Sequence, residues 1–111
     1  MVEWKLSPSP ALVDGDTVAE FTLLDRGRQP LRGAKLRIEA HMSHPGMAPL
    51  VEAATERENG AYVVHLRFPM SGDWILFVKG ELADRRPINV RMGETTARGQ
   101  ARTLTPGLTL V

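Results

Sequence analysis

At 111 residues and 12.2 kDa the chain has room for one domain and one core, and its 42% apolar and 24% charged residues are the proportions of an ordinary globular protein. Fourteen basic side chains are nearly cancelled by thirteen acidic ones, leaving a formal charge of +1. That balance argues against nucleic acid and against an anionic membrane surface as partners, since both attract a basic stripe or patch.

There is no cysteine, so neither a disulfide framework nor a thiolate metal site is open to this chain. No stretch approaches the roughly 18 consecutive apolar residues of a membrane-spanning helix. Met1-Val2-Glu3-Trp4 does not open as a basic segment leading into an apolar one, so no export signal is read at the start and a cytosolic location stays open.

In chain order, residues 2–6 alternate apolar and polar until Ser7-Pro8-Ser9-Pro10 stops the ladder. A turn at Asp14-Gly15-Asp16 leads into a β-branched and aromatic strand over 17–24. Residues 25–33 carry two glycines and a proline and read as a loop. Residues 34–42 alternate cleanly: Leu36, Ile38, Ala40 and Met42 point one way, Lys35, Arg37, Glu39 and His41 the other. A Pro/Gly-rich loop over 43–50 follows, then a weaker strand over 51–57, closed by Glu58-Asn59-Gly60 as a hairpin turn. Residues 61–68 alternate again, with Tyr62, Val64, Leu66 and Phe68 inward. Pro69-Met70-Ser71-Gly72 is a turn, 73–79 is nearly all apolar and reads as a central strand, and 87–92 is the last strand.

Strands at roughly ten-residue spacing with turn chemistry between them predict an all-β, immunoglobulin-like sandwich of about seven antiparallel strands. It is expected to occupy residues 1–92. Residues 93–111 then form an irregular C-terminal tail in which 103–110 could make a short edge hairpin.

The segment from His41 to Pro49 holds two of the three histidines and two of the five methionines. Strand directions extend this cluster. If 34–42 runs upward and successive strands are antiparallel, the loop over 43–50, the turn around Met70 and the end of the last strand at Met92 all lie at the top. His41, Met42, His44, Met47, Met70 and, by this count, Met92 then gather at one end, with Trp74 just below. Thioether sulfur is a soft neutral ligand and imidazole a borderline one, so such a set selects Cu(I) over zinc, calcium or magnesium. An indole beside it could cover the cation. The candidate ligands are His44, Met47 and Met70, completed by His41 or Met42.

Plainer readings stand beside these. Met42 faces inward, where packing alone would account for it. Trp74 is first of all a core residue, Met92 can simply end a strand, and His65 alternates outward as a solvated side chain. Met47 and Met70 lie in turns, where packing offers less reason for them. Catalytic signals are missing: the carboxylates are scattered, no serine sits in a nucleophile elbow, and no glycine-rich phosphate loop is present. The chain is therefore expected not to be an enzyme.

Arg32-Gly33-Ala34, Met42-Ser43-His44-Pro45-Gly46-Met47, Asn59-Gly60-Ala61-Tyr62 and Phe68-Pro69-Met70-Ser71-Gly72-Asp73-Trp74 together resemble the YtkA-like domain family, which includes the periplasmic part of FixH-type proteins. The resemblance spans residues 11–92. It implies an immunoglobulin-like sandwich in the bacterial periplasm or on the outer face of the inner membrane, acting as a copper chaperone or handling module. The implied partners are the copper ion and a copper-accepting membrane protein such as a haem–copper oxidase or an efflux component. The alternative is a metal-free interaction module that docks through the same Met/Pro-rich loop. A third reading is a structural sandwich in an envelope assembly, with the methionines as packing.

Overall fold

The computed structural model describes residues 1–43, 46 and 48–99. They form an all-β sandwich of two sheets. The strands are β1 (Val2–Ser7), β2 (Ala11–Leu12), β3 (Thr17–Leu23), β4 (Lys35–Met42), β5 (Leu50–Ala53), β6 (Thr55–Glu56), β7 (Ala61–Leu66), β8 (Gly72–Glu81) and β9 (Pro87–Arg98). One sheet has the order β1-β3-β7-β6 and the other β2-β9-β8-β4-β5. Every pairing is antiparallel except the short parallel contact of β2 with the end of β9.

The period-two pattern becomes the core. Phe21 and Leu23 of β3, Leu36, Ile38 and Ala40 of β4, Tyr62, Val64 and Leu66 of β7, and Trp74, Leu76 and Val78 of β8 are all buried between the sheets. Phe21 and Tyr62 stack with centroids 5.5 Å apart across the β3–β7 pair. The Tyr62 hydroxyl donates to the Leu31 carbonyl at 2.8 Å and accepts from the Ala34 N–H at 3.1 Å. This buried phenol therefore ties the loop before β4 to the core. At the side, the Trp4 indole of β1 lies over Gly93 of β9, where any larger residue would collide with its ring.

Three expectations need correction. The strand expected over 51–57 is two strands in different sheets: β5 pairs with β4 and β6 pairs with β7. The chain crosses between sheets at Ala54, whose N–H is held by the Leu36 carbonyl at 2.9 Å. The crossing does not reverse the chain, so the count of strand directions survives it. The Asn-Gly turn is present, with both residues at positive φ, 64° and 78°.

The last strand does not end at Met92 but continues to Arg98. Phe77 pairs with Arg91 and Leu76 with Gly93, leaving Met92 as the extra residue of a bulge. The bulge shifts the phase, so the inward positions run through Val90 and Met92 and then Thr95 and Ala97. A strict period-two reading breaks there. Met92 is thus buried midway along the strand, not gathered at the top. The short strand β2 was not foreseen at all. The hairpin expected at 103–110 lies outside the described residues.

Among the described residues, no helix is long and apolar enough to cross a membrane.

Candidate metal site

The upper end of the sandwich is built by the β4–β8 ladder. Met42 pairs with Trp74, and the Ser43 N–H extends the ladder by one bond to the Asp73 carbonyl at 3.2 Å. This antiparallel pairing brings the loop after Met42 and the turn before Gly72 to the same end, as the strand count predicts. β7 also finishes there at Leu66, β3 begins there at Thr17, and β9 ends there.

Trp74 points inward and is 1% exposed. Its ring meets the buried Phe68 ring with centroids 5.2 Å apart at 53°. A buried indole needs an acceptor for its N–H, and here the acceptor is the Met70 carbonyl at 3.2 Å. The turn is held on its other side as well: the Asp14 N–H donates to the Phe68 carbonyl at 2.9 Å, and the Arg67 guanidinium donates to the Asp14 carbonyl. Met70 nevertheless leaves its own side chain 41% exposed.

Met42 is partly buried and packs against the core. Its methyl lies where a side chain at residue 72 would be, 2.7 Å from an ideal Cβ, and Gly72 has φ +135. Glycine therefore does two things here: it takes a backbone conformation that L-residues avoid, and it leaves room for the Met42 thioether.

His41 is adjacent in sequence but lies on the other face of the sheet. Its Nε2 is 3.2 Å from Glu39 Oε1, and its ring meets Phe77 edge-on with centroids 5.5 Å apart. Glu39 is also paired with Lys79 at 2.9 Å and Arg37 at 3.1 Å. The hydrogen bond from Lys79, helped by those from His41 and Arg37, pulls the Glu39 carboxyl from 4.5 to about 2, against the desolvation that would raise it.

Of the five candidate ligands, the structure thus brings Met42 and Met70 to one end and sets His41 apart from both. His44 and Met47 lie outside the described residues. Among the described residues, no group of three or more His, Asp or Glu could hold a metal. What this end offers is thioether sulfur from one strand-borne position, Met42, and one turn-borne position, Met70, a donor type that suits a soft monovalent ion and not a hard or carboxylate-seeking one. Sequence reasoning missed Gly72 and the hydrogen bond from Trp74. The Met-Ser-Gly-Asp-Trp run signals a turn, but nothing in it says that the indole reaches back to Met70.

Residues 1–79 match the family model described as YtkA-like. The chain belongs to the YtkA-like family. The matched region takes in β1 to most of β8 and therefore both sides of the upper end. The fold is also similar to that of the crystallised PmoD soluble domain from Methylocystis sp. ATCC 49242 (Rockwell), with a TM-score of 0.57 and 14% identity over 87% of this chain and 90% of that one. No curated protein matches in sequence.

Proposed function

We propose that this YtkA-like domain is a copper-handling module that carries Cu(I) at the upper end of its sandwich and is not an enzyme. The observation that carries the reading is Met70: a large apolar side chain, 41% exposed, on a turn fixed at three points. A turn held this firmly has no folding reason to present a thioether to water. Met42 supplies a second sulfur from the paired strand. His44 and Met47, which follow Met42 closely in sequence, complete the proposed set. Met42 takes the place that His41 could have filled, because His41 is engaged by Glu39.

Copper here is cargo. Neutral thioether and imidazole ligands hold Cu(I) without the grip of a thiolate cage, which suits transfer to an acceptor. The family resemblance suggests a membrane-bound acceptor and a site of action in the bacterial envelope, and both are part of the proposal.

Titrating the protein with Cu(I) against a chromogenic chelator tests it. Wild type should compete for the metal, and Met47→Ala combined with Met70→Ala should lose most of that competition. Equal binding by the double variant would remove the assignment. Loss of partner capture with no metal dependence would point instead to the interaction module.

A further inference from the structure

We propose that Trp74 is a positioning residue for this site, fixing the Met70 thioether beside Met42 before metal arrives; the inference rests on the copper reading above. Three contacts hold the turn over residues 67–71, but two of them act at its start, on Arg67 and Phe68. Of the three, only the indole N–H reaches Met70 itself, at 3.2 Å. The same indole belongs to the residue paired with Met42 across the ladder. One side chain is therefore bonded to the backbone of one thioether residue and is the cross-strand neighbour of the other.

The indole cannot easily turn away. Trp74 is buried, and Phe68, itself buried, packs on its ring at 5.2 Å. Gly72, between Met70 and Trp74, leaves the space that the Met42 methyl occupies. The chain thus orders both sulfur-bearing residues as part of folding, so binding need not order them. In this arrangement Trp74 shapes the site from beneath. It does not cover the ion, because its N–H is committed to Met70 and its ring to the core.

The test combines two readouts on wild type and Trp74→Phe: the Met70 methyl resonance of the metal-free protein and the affinity for Cu(I). In wild type the Met70 methyl should be well dispersed. In Trp74→Phe it should move toward its random-coil position, and Cu(I) affinity should fall by about 10–100-fold, the usual effect of losing a group that orients a ligand. In a Met70→Leu background, Trp74→Phe should weaken binding no further.

If Trp74→Phe does not fold, benzothienylalanine at the same position keeps the ring shape, removes only the N–H donor and gives the same two readouts. An unmoved Met70 methyl overturns the proposal whether or not affinity changes, and so does unchanged Cu(I) affinity with a displaced methyl. Absence of Cu(I) uptake by wild type would instead defeat the copper reading, while the methyl comparison still decides whether Trp74 holds Met70.

Discussion

His41 and Met42 are neighbours in the chain and belong to different parts of the molecule. His41 stands on the outer face of the five-stranded sheet, where Glu39 gathers Lys79, Arg37 and His41 around one carboxylate. Met42 stands on the inner face, paired with Trp74 and lying over Gly72. The outer cluster is spent on itself: one carboxylate engages Lys79, Arg37 and His41 together. The upper end is open, because thioethers neither donate hydrogen bonds nor carry charge, and Met70 is left in water. A polar side chain near a site can be spent on structure, while an apolar one can be the group left free for a ligand.

The contrast can be broken most severely at Trp74. Trp74→Ala should cost about 3–5 kcal/mol, through the cavity it leaves and the freed Met70 carbonyl, measured by denaturant unfolding. It should disturb the upper end while leaving the Glu39 cluster intact.

Glu39→Gln probes the other region. It should cost about 1–2 kcal/mol, since the carboxylate is mostly buried while Lys79 and Arg37 can still reach water. The pH dependence has a definite sign. The Glu39 carboxyl is held at about 2 in the folded protein against an ordinary 4.5. Its contribution is complete above 4.5 and is lost as pH falls toward and through 2. Thermal melts of wild type should therefore lose stability across that acid window more steeply than melts of Glu39→Gln.

Met42→Leu and His41→Ala sharpen the comparison with smaller effects. Met42→Leu nearly conserves volume and should cost less than about 1.5 kcal/mol, yet it should weaken Cu(I) binding in the chelator competition. His41→Ala should cost less than about 1 kcal/mol, as a half-exposed ion-pair partner, and should leave Cu(I) affinity unchanged. A reversal of these two affinity results would return the ligand role to His41.

Much of the fold was legible because alternation is a local signal. The inward residues of 34–42 and 61–68 could be named from their period alone, and the Asn59-Gly60 turn from its residue types. The passage from β5 to β6 was not legible. Residues 51–57 carry one weak pattern, and only pairing with two different neighbours splits it at Ala54. The bulge at Met92 was hidden for a similar reason: an extra residue in β9 has meaning only against Leu76 and Phe77 of β8.

At the candidate site, the sequence alone determined the donor chemistry, since a chain with five methionines, three histidines and no cysteine can offer a soft ion only thioether and imidazole. It also determined that Met42 and Met70 share an end, because antiparallel strands of known order fix where each loop must lie. Tertiary structure decided the rest. Glu39 engaged His41 on the outer face that alternation had already given it, and β9 ran on to Arg98, which leaves Met92 buried midway along the strand. The bond from the Trp74 indole to the Met70 carbonyl exists only because β8 and the preceding turn fold back on each other. Residue types state which bonds are possible, and packing decides which of them are made.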